Sequence, residues 1–142
     1  MNQIDELLLK LPAVIAVGVD CYGKNPMLYP LRESINKMHL AGYWWGIASK
    51  DLNNQMVGTE IGGETEEEIK IIVPTMLGAG EQLNYLSKNL GEVTKSTADY
   101  LNSVELPPQV KYNVEQGYNK LMEAMFNIDI STKFYEQINT RG

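Results

Sequence analysis

The sequence holds one histidine, His39, and one cysteine, Cys21, and catalysis by either side chain needs a second group beside it. A cysteine nucleophile requires a lowered pKa and usually a neighbouring base, and His39 is the one imidazole that could serve. Nothing in the local sequence brings the two together. Cys21 lies in a predicted turn, and the helical neighbours of His39 indicate a partly buried structural role. We therefore predict no catalytic residues and expect a protein that is not an enzyme.

Carboxylates and glycines offer two further chemistries, metal coordination and phosphate binding. Glu64 and residues 66–68 are dense carboxylates, but neighbours along a helix do not converge on one ion, so we predict a solvated helix start and no metal site. Gly78 and Gly80 could form a phosphate-binding loop if residues 69–73 were a strand. The third glycine and the Gly-Lys-Ser/Thr pattern of known phosphate loops are missing, so no cofactor is predicted.

Three consecutive aromatic residues, Tyr43, Trp44 and Trp45, stand out in the first half of the chain. In a strand the two tryptophans would point to opposite faces, with Trp45 on the bulky face that packs in the core. Trp44 either packs beneath the chain's own helices or, if left uncovered, anchors a partner or a planar ligand. The residues predicted to line a ligand pocket, between a sheet and a kinked helix, are Trp44, Trp45, Pro74, Gly78 and Gly80.

The chain has 142 residues, a net charge of -6 and a hydrophobic fraction of 44%, which suits a folded protein rather than a disordered one. An acidic surface repels phosphate backbones, and nucleic acid is not an expected partner. The N-terminus shows no signal-peptide pattern, and the longest apolar stretch, residues 13–19, is too short to span a bilayer, so no membrane association is expected. A single cysteine forms no intramolecular disulfide and fits the cytoplasm.

Residues 1–63 are predicted to form a small α/β lobe that ends at the Gly62-Gly63 linker. Helices are indicated where apolar residues recur at steps of three and four, and strands where β-branched or aromatic residues run together. Pro12 ends the first helical pattern, and the run after it is apolar on both faces, as in a buried strand. The predicted elements, in order, are a helix over residues 2–11, a strand over 13–19, a helix from Pro30 to Gly42, a strand over 43–48 and a strand over 55–61.

A long apolar register through the middle of the chain predicts a helix that is packed along its whole length. Its members alternate steps of three and four residues: Ile69, Ile72, Met76, Ala79, Leu83, Leu86, Leu90, Val93, Thr97, Tyr100 and Val104. Thr65 and Glu68 form a capping box, so the helix is expected to begin near residue 66 and to kink at Pro74. The alternative is a strand over residues 69–73 and a helix that begins only after Gly80.

Two prolines at 107 and 108 break this helix, and a second one is predicted from Pro108 to Asn127, before a last short helix capped by Ser131. The short connection implies an antiparallel helical hairpin over residues 64–142. The predicted fold class is therefore α+β. It combines a small N-terminal α/β lobe with a short sheet, a long kinked helix and a C-terminal helical hairpin, in one compact unit.

Two segments near the N-terminus, residues 4–17 (IDELLLKLPAVIAV) and residues 20–24 (DCYGK), resemble the opening helix, strand and turn of roadblock/LC7 domains. Those are small dimeric adaptor folds found in motility and GTPase regulation, so the resemblance implies a dimeric adaptor. It covers less than a fifth of the chain. The later strands of that fold are missing, since residues 91–140 are predicted to be helical.

The helical region is predicted to mediate self-association. The first long helix would have about 40 residues and the second nearer 20, so part of the longer stripe would lack a partner in the hairpin. The second helix is apolar over more than one face, because it also carries Tyr112, Met122 and Phe126. Met-rich and aromatic surfaces of this kind are common at adaptable interfaces. The predicted interface residues are Leu83, Leu86, Leu90, Val93, Tyr100, Tyr112, Tyr118, Met122 and Met125.

The sequence therefore predicts a non-enzymatic cytoplasmic assembly or adaptor protein that self-associates through its helical region. Its expected partner is a second copy of the chain or another protein. The alternative is a small-molecule-binding or sensor protein that uses the pocket near Trp44 and Trp45.

Overall fold

The computed structural model describes residues 3–55 and 78–141, and within these ranges it contains four helices and no strand. The helices are α1 (Gln3–Lys24), α2 (Tyr29–Gln55), α3 (Gly78–Ser103) and α4 (Pro108–Arg141). The predicted α+β class is therefore wrong, since the described fold is all-helical and its N-terminal part is no α/β lobe. The linker at Gly62-Gly63, the capping box at Thr65 and the kink at Pro74 lie outside the described residues.

The strand predicted over residues 13–19 is the second half of α1. The inner residues of α1 keep one register of steps of three and four across Pro12: Ile4, Leu7, Leu11, Val14, Gly18 and Cys21. Pro12 removes one backbone hydrogen bond, and burial of the apolar residues on both sides of it offsets that cost. A short apolar run looks alike in a buried strand and a buried helix, which explains the error. The roadblock-like opening, which needs a strand here, is wrong for the same reason.

Residues 43–48 lie in the middle of α2 and do not form the predicted second strand. The helix continues through Gly42 and Gly46 to Gln55, although glycine is a poor helix former. Its buried face continues at helical spacing through Leu31, Ser34, Met38, Ala41, Trp45 and Ala48. Tertiary burial of this face outweighs the local preference of the aromatic run for a strand. The predicted third strand begins at Gln55, the last residue of α2, and its other residues lie outside the described ranges.

The antiparallel hairpin predicted for the C-terminal region is confirmed. α3 ends at Ser103 and α4 begins at Pro108, as the proline pair indicates. A separate short helix after Asn127 is wrong, because α4 continues unbroken to Arg141. The Ser131 hydroxyl is buried and donates to the carbonyl of Asn127 at 3.0 Å within the helix, so it caps nothing.

The four helices surround one core in the cyclic order α1, α2, α4, α3, and each helix is antiparallel to both of its neighbours. Hydrogen bonds that mark the pairings join Ser49 to Asp5, Ser34 to Ala124, Trp45 to Val114 and Gln82 to Asp20. α2 and α3 lie on a diagonal and run in the same direction. The end of α2 and the start of α3 are therefore at opposite ends of the bundle, as in four-helix bundles with a long crossover connection. Both predicted regions, 1–63 and 64–142, contribute helices to this core.

Candidate functional site

The structure does not bring the predicted pocket residues together. Trp45 is fully buried between α2 and α4, where its indole Nε1 donates to the carbonyl of Val114 at 3.4 Å. Gly78 and Gly80 begin α3 at the opposite end of the bundle, and Gly80 lies against the ring of Tyr135. Val114 and Tyr135 are separated by about 30 Å along α4, at roughly 1.5 Å per residue. No single pocket can include both groups.

Trp44 lies on the outer side of α2 and is half-buried. Its indole makes edge-to-face contacts with Tyr43 and with Tyr112 of α4, at ring centroid separations of 5.8 Å and 6.2 Å. Edge-to-face pairs of this kind add modest stability beyond the area they bury. Trp44 therefore helps to join α2 to α4 at the surface. Pro74, the last predicted pocket residue, lies outside the described ranges.

The predicted interface residues of α3 face the interior of the chain's own bundle. They are Leu83, Leu86, Leu90, Val93 and Tyr100, and each is at most 4% exposed. α1 and α4 cover this stripe from its two sides. It is not accessible to a second protein while the bundle is intact.

The predicted interface residues of α4 are accessible. Tyr112 is 51% exposed and Met122 is 49% exposed, whereas Tyr118 and Met125 are half-buried towards α3. Two neighbours of Met122 that the predicted set omits are exposed as well. Phe126 is 66% exposed and Ile130 is 36% exposed.

Met122, Phe126 and Ile130, here called the α4 patch, form one ridge on the outside of the helix. Residues four apart are neighbours on a helix surface, so the three side chains adjoin one another. This four-residue spacing was the sequence signal that could have added Phe126 and Ile130 to the predicted interface. Contiguous exposed apolar side chains on a folded surface mark interaction sites.

A groove runs along each side of the α4 patch. The groove towards α3 has a volume of about 660 Å³, and the groove towards α2 has about 490 Å³; Met122 and Phe126 border both. On the α2 side the rim is polar, because Glu123 pairs with Lys37 at 3.4 Å and with Lys120 at 3.5 Å. An apolar centre with a polar rim is the usual anatomy of a protein-binding surface.

A third groove, of about 560 Å³, lies between α1 and α3 on another side of the bundle. The apolar floor of this groove consists of Leu7, Val14 and Val93. Two lysines and two acids border it: Lys10, Lys95, Glu92 and Asp99. Because both signs of charge are equally represented, the rim selects neither an anion nor a cation.

The thiol of Cys21 is buried in α1 rather than accessible in the predicted turn. Burial of the thiol, and to a smaller extent the negative charge of Asp20, raises the pKa of Cys21 from 9.0 to about 11. A thiol of this kind is a poor nucleophile at neutral pH.

His39 is exposed on α2, so the predicted partly buried role is wrong. Burial and the charge of Asp5 raise the pKa of Tyr100 in α3.

Residues 3–55 and 78–141 contain neither a cluster of metal ligands nor a membrane-spanning helix. No group of three or more His, Cys, Asp or Glu side chains there is placed to hold a metal ion. No helix in that part of the chain combines the length and the apolarity needed to cross a bilayer.

Comparisons of this chain with protein-family models, with curated proteins and with solved structures returned no match.

Proposed function

We propose that this protein is a non-enzymatic cytoplasmic assembly protein that self-associates through the outer face of α4. The observation that carries the proposal is the exposure of the α4 patch, with Phe126 and Met122 standing between two grooves. The bundle already buries the stripe of α3, whereas the outer face of α4 leaves the three adjoining side chains of the α4 patch exposed.

The physical support is the size and type of these side chains. Burying an exposed Phe or Met side chain is worth about 1.5–3 kcal/mol each, and aromatic anchors commonly dominate binding energy. Methionine adapts its shape to a partner surface, which suits it to a position beside such an anchor. The buried, unreactive thiol of Cys21 suits a reducing compartment such as the cytoplasm.

The test is the solution mass of the purified chain, measured by light scattering across a dilution series. We expect a multiple of the 16.0 kDa chain mass that dissociates on dilution. Phe126→Asp places a charge in the α4 patch and is expected to abolish the oligomer. The matched control is Val19→Asp, because Val19 is 51% exposed on α1, the helix diagonally across the bundle from α4.

A wild-type chain that is monomeric at every concentration would overturn the proposal. So would an oligomer that Phe126→Asp and Val19→Asp weaken equally. Helical circular dichroism on both variants separates a lost interface from a lost fold.

A further inference from the structure

We infer that the α4 patch is covered by α4 of a second copy of this chain, packed antiparallel about a two-fold axis that passes between Met122 and Phe126. The inference rests on the proposed self-association and adds its geometry. Its basis is the order of side chains along the outer stripe of α4, which is complementary to its own reverse.

The outer stripe of α4 includes Met122 and Phe126 of the patch, with Ile130 beside it, and continues beyond these two residues in both directions. Its members follow steps of four and three residues: Glu115, Asn119, Met122, Phe126, Asp129 and Lys133. All are exposed except Glu115, which is half-buried. Helical spacing of this kind places the six side chains on one line facing away from the core.

An antiparallel copy centred on this stripe pairs every member with a complementary group. Met122 meets the second copy's Phe126, a favourable contact between a thioether and an aromatic ring. Asn119 meets the second copy's Asp129, where the amide donates to the carboxylate. Each pairing occurs twice, because a two-fold interface repeats every contact between i and j as one between j and i.

The third pairing, at the outer ends of the stripe, is electrostatic. Glu115 meets the second copy's Lys133, so a carboxylate faces an ammonium group. Within one chain, Nζ of Lys133 already lies 3.1 Å from Oδ2 of Asp129. Both side chains are largely exposed, at 70% for the lysine and 61% for the aspartate. An exposed pair one turn apart contributes little, and it leaves the lysine free to reorient towards a partner.

Other arrangements of the same two helices are less favourable. A parallel pair in register would set Glu115 against Glu115 and Lys133 against Lys133, so like charges would meet. Sliding the antiparallel pair by one heptad in one direction sets Met122 against Lys133 and Phe126 against Asp129, which buries apolar side chains against charges. Sliding it in the other direction sets Phe126 against Glu115. The register centred between Met122 and Phe126 is the one that pairs all six positions.

The size of the contact predicts a weak dimer. The stripe from Glu115 to Lys133 spans about 27 Å, so the contact falls at the small end of specific interfaces. We expect dissociation in the micromolar range.

The experiment is a charge exchange measured by sedimentation equilibrium on the full chain. Glu115→Lys alone sets two lysines against each other at both ends of the dimer, and Lys133→Glu alone sets two carboxylates against each other. Each single variant is expected to raise the dimer dissociation constant about tenfold or more. The double variant restores opposite charges and is expected to return within about threefold of wild type, at low salt.

The outcomes separate this inference from the proposed function. A wild-type dimer whose dissociation constant neither single variant changes overturns the antiparallel register and leaves self-association standing. A double variant no tighter than the singles overturns the register as well. A wild-type chain that is monomeric throughout overturns both proposals. Thermal unfolding of each variant shows whether any loss of dimer reflects a loss of fold.

Discussion

α3 and α4 form the two arms of one hairpin, yet they distribute their apolar residues differently. The large apolar side chains of α3 lie on one stripe that the bundle buries. Apart from Gly78, its exposed residues are polar: Glu81, Asn84, Ser87, Lys88, Glu92, Lys95, Asp99, Asn102 and Ser103. α4 has a buried stripe with Leu121, Ala124 and Ile128, and it also has the exposed α4 patch on its other side. The bundle therefore buries the apolar stripe of α3, whereas it leaves part of the apolar surface of α4 exposed.

The contrast between α3 and α4 shows that an apolar stripe does not identify an interface unless the rest of the fold leaves it exposed. A strongly one-sided helix such as α3 is what a bundle needs for its own core. A helix with a second apolar side has more apolar surface than the bundle can cover, and that excess is the better sign of a partner.

The largest effect is expected from truncating the buried stripe of α3. Leu86→Ala should lower the free energy of unfolding by about 2–5 kcal/mol, because Leu86 is 0% exposed and its removal leaves a cavity. Phe126→Ala on α4 should change it by about 0.5 kcal/mol or less. Urea unfolding at a concentration where the chain is monomeric measures both. Equal losses would contradict the contrast between a buried Leu86 and an exposed Phe126.

The second prediction concerns pH and two buried groups, the thiol of Cys21 in α1 and the phenol of Tyr100 in α3. The folded-state pKa of Cys21 is raised to about 11 from 9.0, so folding favours the protonated thiol. The stability it contributes is complete below pH 9 and is lost as pH rises towards 11, by an amount on the order of 2–3 kcal/mol. Burial also raises the pKa of Tyr100, so its protonated phenol is favoured by folding in the same way. Urea unfolding at pH 8 and pH 10.5 measures the loss, and Cys21→Ala should reduce it. A flat profile would mean that the thiol is accessible to water.

The third prediction compares a glycine on each helix. Gly117 of α4 lies under the Trp45 indole, and a Cβ atom there would overlap the indole ring. Gly117→Ala should therefore cost about 1–3 kcal/mol through overpacking. Gly91→Ala on α3 is the matched control, because its Cβ would lie 3.7 Å from Met125 Cε, an ordinary contact. We expect it to be neutral or stabilising in thermal unfolding. A destabilised Gly91→Ala would show that α3 is packed as tightly as α4 at its glycine.

The smallest effect is expected at the start of α3. Gly78 has a φ of 77°, a conformation in which other L-residues are strained, so Gly78→Ala should cost about 1 kcal/mol. In α2, Gly46 has no heavy atom within 4 Å of where a Cβ would lie, and Gly46→Ala should raise stability by about 0.5–1 kcal/mol. The two melting temperatures should move in opposite directions. A shift in the same direction would contradict the backbone assigned to Gly78.

The parts of the fold that could be predicted are those with long, regular patterns. The register from Leu83 to Tyr100 and the break at the proline pair were sufficient to place a helix, a turn and a second helix. The runs 13–19 and 43–48 were predicted as strands because β-branched and aromatic residues favour strands locally. Their true state depends on helices far along the chain that bury one side of each run.

The candidate site was predicted in part for the same reason. Tyr112 and Met122 were named from the composition of the second helix, and they are exposed. Leu86 and Leu90 were named from an equally clear stripe, and they are buried. Nothing in either pattern states which side of a helix the rest of the chain covers.

The period of the apolar positions, the break between α3 and α4 and the single thiol all follow from the amino-acid sequence. These are local properties, set by backbone geometry over a few residues or by composition. Packing between distant segments sets the position of Trp45 over Gly117, the continuation of α1 through Pro12 and the exposure of the α4 patch among the described residues. Each of these depends on which distant side chains share a neighbourhood, because burial is a property of packed surfaces and not of spacing along the chain.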